Sequence, residues 1–208
     1  GRGFDIDAMD VDESNFLVTA GNVMGEFQRT KVIPEIDLYR WNAIYTQANT
    51  KKHVTAAALT KDNILEALDD DITAVEDKAG THNGLVIVMS TLTSALLDQA
   101  IPKQLNPVEF TAGQLHTNVQ AYNDIPIIKV SSARMKTTVT KDDSTKVITG
   151  GGKDIHWLIF PQFAPIAVSK TDTVRIFDPM TYQKANSWHI DYRKFHDIWI
   201  PENRMDAI

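Results

Sequence analysis

A proline inside a long amphipathic stretch constrains this chain more than any other feature. Residues 12–45, DESNFLVTAGNVMGEFQRTKVIPEIDLYRWNAIY, carry apolar side chains at Phe16, Ala20, Val23, Met24 and Phe27. That is the i, i+4, i+7, i+8, i+11 spacing of one buried helical face, so the stretch predicts a long helix that packs against a partner. Asp12, Glu13 and Ser14 supply an acidic, cap-forming start, and Arg29 and Lys31 stand where the negative end of the helix belongs. Pro34 has no N–H to give and drives Ile33 toward extended backbone. The first helix is therefore expected to end or kink there, and a second to run over 35–48.

With 208 residues the chain falls between one large domain and two small ones. Hydrophobic content of 43% and charged content of 23% match a soluble globular protein rather than a disordered or membrane one. No apolar run approaches the roughly 18 residues that a spanning helix needs. Cysteine is absent, which excludes disulfides and cysteine-ligated zinc. A net charge of −6 disfavours whole-surface attraction to nucleic acid.

Ahead of the helix, GRGFDIDAMDVDE alternates Phe4, Ile6 and Val11 with aspartates and reads as an extended segment. Asp5, Asp7, Asp10 and Asp12 invite a calcium reading, since a hard cation takes several closely spaced carboxylates. The EF-hand pattern fails, because Met9 holds the third ligand position and Asp10 the glycine position. Residues 46–60 form a polar, then alanine-rich boundary. Thr60 caps an expected helix carrying Ile64, Leu68, Ile72 and Val75, with Asp69, Asp70 and Asp71 on its wet face. LVIVMS at 85–90 reads as a strand buried on both faces, and a helix follows over 91–99. Helix followed by buried strand points to α/β or α+β layers rather than a bundle.

Pro107 and Gly113 punctuate residues 102–113, which are expected to be irregular. Asn123 and Asp124 place a turn before a strand at 127–130. The polar stretch 136–153 reads as a hairpin or exposed loop. Its terminal glycines are not a phosphate loop: Val147 stands at the required first glycine, and Asp154 follows Lys153 where a hydroxyl is needed. Beyond it, segments 154–160, 165–169, 173–177, 188–195 and 198–200 are short, β-branched and aromatic, and read as strands.

The histidines, His53, His82, His116, His156, His189 and His196, form no HExxH or other i, i+4 ligand pair. An odd spacing sends His189 and His196 to opposite faces of any strand. There is no GxSxG elbow. Tyr182, Trp188, Tyr192, Phe195 and Trp199 suit a ligand pocket, an aromatic sheet core or a subunit contact. No catalytic, cofactor-binding or metal-binding residue is assigned.

Several segments together resemble the major capsid proteins of tailed phages and prophages, the Hong Kong 97-type fold shared with encapsulin shells. They are FDIDAMDVDE leading into EFQRTKVIPEIDLYR, the helix and strand ending in LVIVMS, NDIPIIKV, and the closing VRIFDP with SWHIDYRKFHDIWIPENRMDAI. The resemblance implies an α+β chain with no active site and no cofactor. Its long helix is the spine of a peripheral domain, residues 1–49 and 167–195, the latter a long β-hairpin. An axial domain with a central sheet flanked by helices takes 50–166 and 196–208. It further implies self-assembly into hexamers and pentamers of a shell around packaged DNA, without sequence-specific DNA contacts. Scaffold, protease and portal proteins are the implied partners, with no membrane role. Synthesis in a bacterial host cytoplasm and residence in the virion capsid go with it.

One departure is that family members carry an N-terminal arm and an extended loop ahead of the spine helix, where this chain has only residues 1–11. A truncated or matured form is therefore expected, with impaired assembly. Two alternatives stand beside the capsid reading. One is an encapsulin-like compartment shell; the other is a soluble metal-dependent α+β enzyme using Asp5, Asp7, Asp10 and Asp12.

Overall fold

The computed structural model describes residues 1–13, 19–82, 84–101, 105–112, 115–144, 147–182 and 184–208. In chain order the first elements are β1 (Arg2–Asp7), α1 (Ala8–Glu13), α2 (Ala20–Phe27), a π-helical turn (Gln28–Val32), α3 (Ile33–Thr50) and α4 (Ile64–Ala79). There follow β2 (Leu85–Ser90), α5 (Thr91–Ala100), β3 (Asn106–Ala112), β4 (Leu115–Tyr122) and β5 (Ile125–Val130). The last are β6 (Lys136–Lys141), β7 (Ile148–Asp154), β8 (Trp157–Pro161), β9 (Ile166–Phe177) and β10 (Ser187–Trp199), ahead of a 3-10 tail, Glu202–Ala207. The chain is α+β. It divides into a unit of Gly1–Asp37, Thr140–Thr149 and Ala167–Asp197 and a unit of Leu38–Val139, Gly150–Ile166 and Ile198–Ile208. The first boundary between these units falls inside α3.

Helix starts in the first unit differ from the sequence expectation. The extended opening stops at Asp7, whose carboxylate accepts from the Met9 N–H at 2.9 Å as α1 begins. Asp12 and Glu13 lie at the end of α1 or beside it, and α2 is capped instead by Thr19, whose hydroxyl accepts from the Asn22 N–H at 3.3 Å. Nor does the helix break at Pro34. Ile33 keeps helical angles, φ −61 and ψ −50, and Pro34 is the second residue of α3. The five preceding residues wind as a π turn, with the Ile33 N–H reaching the Gln28 carbonyl. A wider turn moves the preceding carbonyls away from the pyrrolidine ring, so the chain absorbs the missing donor without stopping. Arg29 and Lys31 therefore sit within a continuing helix, and Arg29 forks onto the Glu26 carboxylate one turn back, at 2.8 Å.

The sheet of this unit has the order β1-β10-β9. β1 runs antiparallel to β10, with Phe4 opposite Ile190 and Ile6 opposite Trp188. Ile6, Met24, Ile190 and Tyr192 are buried together, and Phe4, Val23 and Phe27 pack against them. The Phe27 ring lies 5.4 Å from Phe4 and meets Tyr192 edge-on at 6.2 Å. Val23 and Phe27, on the face whose spacing predicts a packing partner, thus find it in the late β-segments; Phe16 lies outside the described residues.

In the second unit the order is β3-β4-β5-β2-β8, with β2 parallel to β5 and antiparallel to β8. Every residue of β2 is buried, and its side chains alternate between two cores. Val86 and Val88 meet Ile44 and Ala48 of α3, Phe160 of β8 and Ile208 of the tail. Leu85, Ile87 and Met89 face Ile64, Leu68 and Ile72 of α4 and Leu97 of α5. Helices therefore cover both faces of a sheet whose central strand has no solvent side, which is why LVIVMS contains no charge. Burying each such side chain stabilises the fold by roughly 1.5–3 kcal/mol.

Three local expectations need correction, and a fourth is narrowed. Asn63, not Thr60, precedes α4 as its cap, and its side chain turns back to accept from the Thr60 N–H at 2.6 Å. Residues 106–112 form a regular strand, because β3 is an edge and Pro107 costs nothing where no neighbour needs its N–H. Of the two readings given for the stretch beginning at Lys136, hairpin and exposed loop, the structure has the hairpin, β6 beside β7, and Gly150 lets it close: a Cβ there would come within 2.8 Å of Lys136. Segments 165–169 and 173–177 fuse into β9, and 188–195 and 198–200 into β10, since neither interval contains glycine or proline.

Candidate interaction surface

The aspartates considered as metal ligands have separate tasks. Asp5 binds the His189 imidazole, Asp7 caps the backbone at Met9, and Asp10 and Asp12 are exposed. Among the described residues no group of three or more histidines and carboxylates converges to hold a metal ion. Two of the α4 aspartates are more than a wet face. Asp71 accepts from the Trp157 indole at 2.8 Å, and Asp69 from the Tyr122 hydroxyl at 2.8 Å. Burial pushes the Asp71 carboxyl up, while the indole N–H pulls it back. Burial, with Asp69 alongside, pushes the Tyr122 phenol up to about 12.

The described histidines stay apart. His53 meets the Ile208 carbonyl at 2.9 Å, and His82 bonds Glu76 and the Asn123 carbonyl. The side chain of His116 lies outside the described residues. His156 borders a cleft of about 140 Å³ with Leu59, Leu92, Leu96 and Asp154. Its Nδ1 lies 3.3 Å from the Thr93 hydroxyl, which in turn lies 2.8 Å from Ser90 Oγ. Ser90 accepts from the Thr93 N–H and so caps α5.

His189 and His196 share β10, where their odd spacing places them on opposite faces. The His189 imidazole binds Asp5 through Nδ1 and Asp191 through Nε2 at 3.2 Å, and it stacks on the Tyr182 ring. The Asp5 hydrogen bond, with the charge of Asp191, holds the imidazole above its ordinary protonation range. The five aromatic residues singled out from the sequence do not share one pocket. Trp188 and Tyr192 join the core beneath α2, Tyr182 covers His189, and Phe195 and Trp199 are 48% and 59% exposed. Arg193 lays its guanidinium over the Phe195 ring at 4.8 Å.

The surface with the clearest chemical character is β9. Phe177 meets His189 at 5.9 Å and Asp172 meets Lys194 at 2.8 Å, so β9 and β10 run antiparallel with odd residues on one face and even on the other. The even face of β10 carries Ile190 and Tyr192 under α2. The even face of β9 continues the same side of the sheet as Ile166, Val168, Lys170, Asp172, Val174 and Ile176. Its apolar members are 38%, 53%, 39% and 48% exposed. Asp172 fastens the strand to its neighbour, its carboxyl held low by Lys194 and the Tyr192 hydroxyl. A twelve-residue strand without proline, which among the described residues is an edge with an exposed apolar stripe, is equipped to associate. The sequence carries this signal when IAVSKTDTVRIF is read two residues at a time, and hides it when the stretch is divided into 165–169 and 173–177.

No protein-family profile matches the chain, and no curated protein matches it significantly. A solved structure from Mycobacterium phage Che8 is similar in fold, with a TM-score of 0.55. The likeness covers 99% of this chain and 67% of that one, at 15% sequence identity. The α+β fold built here is thus one that a phage chain also adopts.

Proposed function

We propose that this chain is a structural shell protein of a tailed phage or prophage, with the Hong Kong 97-type capsid fold, and that it acts by self-association rather than by catalysis. The observation that carries the reading is the fold likeness to a phage chain across nearly the whole length. The sequence resemblance supports it independently, through the Glu26–Arg29 and Ile33–Asp37 segments in the helix and the closing run from Val174. The long helix formed by α2, the π turn and α3 is the spine, with residues 1–49 and 167–195 as the peripheral domain. Residues 50–166 and 196–208, around the β2 sheet, are the axial domain.

On this reading the exposed stripe of β9 and the exposed Phe195 and Trp199 are covered by neighbouring subunits. Hexamers and pentamers enclose DNA without reading its sequence, and scaffold, protease and portal proteins are the accessory partners. A net charge of −6 suits an enclosure that must not bind its contents through broad counterion release. Sedimentation velocity on the expressed gene product tests the reading. Capsomer-sized or larger species that grow with concentration support it, and a monomer at every concentration contradicts it.

A further inference from the structure

The pattern of β9 is its own complement. Its even face reads Ile166, Val168, Lys170, Asp172, Val174, Ile176, which is symmetric in character about Thr171 except that a cation answers an anion. β9 is an edge of its sheet, so one side of its backbone has no strand beside it within the described residues. An edge of this length is a template for another strand, and side chains placed directly opposite one another decide which strand it accepts.

We propose that β9 pairs antiparallel with β9 of a second copy of this chain, about a twofold axis through Thr171. In that register Lys170 stands opposite Asp172, Val168 opposite Val174, and Ile166 opposite Ile176, each pair occurring twice. Ser169 meets Thr173 on the other face. Shifting the register by one residue sets the apolar face of one copy against the polar face of the other. Shifting it by two sets Thr171 opposite Thr173, Lys170 opposite Val174 and Asp172 opposite itself, or the mirror arrangement with Lys170 opposite itself, and like charges in direct opposition are destabilising. The centred register is the one that satisfies both the apolar and the charged residues.

Twofold pairing is isologous, so a single surface serves both partners. One strand pair is a small interface beside the roughly 1,600 Å² of a standard stable complex. The contact is accordingly weak between free chains and strong where other contacts already hold the copies together. The proposal rests on the self-association reading above and names one of its surfaces.

The absence of cysteine makes the register directly measurable. Directly opposite residues bring Cβ atoms to about 5 Å, within reach of a disulfide formed with an added oxidant or of a short bis-maleimide linker. Thr171→Cys is expected to cross-link to itself about ten-fold or more faster than Lys61→Cys, an exposed control on another part of the chain. Lys170→Cys and Asp172→Cys are each expected to cross-link slowly alone and quickly when mixed. Circular dichroism identical to the parent chain checks that the variants fold. A Thr171→Cys rate no greater than the control, or self-linking of Lys170→Cys alone, overturns the pairing. Large assemblies without cross-linking at 171 overturn it too, and leave the shell reading standing. Cross-linking at 171 without any assembly larger than a dimer upholds it and contradicts the shell reading.

Discussion

The imidazole of His189 lies parallel to the phenol ring of Tyr182, with ring centroids 4.6 Å apart and planes within 6°. The stack holds the ring in place between Asp5 on β1 and Asp191 on β10, tying the first strand to the centre of its sheet. Because the folded imidazole is held above its ordinary value of about 6.5, its contribution is fully present below that value. It is lost as pH rises through the folded value. NMR titration is expected to place His189 above 6.5, and Asp5→Asn to bring it down. Titration at or below 6.5 in the parent chain contradicts the arrangement.

Asp71 and Trp157 test how α4 is fastened to its sheet. Burial raises the Asp71 carboxyl, and the indole N–H is what opposes that rise. Trp157→Phe keeps the ring and removes the donor, so the Asp71 value is expected to climb further. Unfolding free energy is expected to fall by about 1 kcal/mol at neutral pH. A Trp157→Phe protein as stable as the parent shows that the bond contributes nothing net.

Met24 and Met9 separate packing from composition. Met24 is 5% exposed beneath β10, and Met24→Ala is expected to cost about 2–4 kcal/mol in urea unfolding. Met9, 66% exposed, is expected to tolerate alanine within about 0.5 kcal/mol. Equal effects at the two sites are incompatible with the core described.

Two glycines should respond with opposite signs. Gly80 ends α4 at φ +66, a left-handed conformation that alanine adopts at a cost of about 1 kcal/mol. Gly25 lies inside α2 with open space where a Cβ would stand, so Gly25→Ala is expected to stabilise by about 0.5–1 kcal/mol. Thermal melts of the two variants read both signs at once.

What the sequence discloses depends on whether local rules and tertiary context agree. β2 is legible in LVIVMS because burial on both faces leaves no polar position, and the turn at Asn123 and Asp124 is legible because both residues tolerate φ values of 49 and 64. Pro34 misleads, since the usual consequence of a lost donor is a helix end and only the π turn ahead of it shows otherwise. Pro107 misleads in the same way: a strand edge accepts what a strand centre does not. The β9 surface is written in the sequence as a period-two pattern, but the knowledge that β9 is an edge comes only from the strand order. The partners of Asp69 and Asp71 are tens of residues away, beyond the reach of any helical or strand period.

Cryo-electron microscopy of the gene product, expressed in a bacterial host together with any scaffold, protease and portal proteins encoded beside it, tests the central claim most directly. Closed icosahedral particles whose subunit density fits this chain, with the helix through Pro34 as the spine, are the predicted result. A uniform population of monomers or small oligomers under those conditions contradicts it.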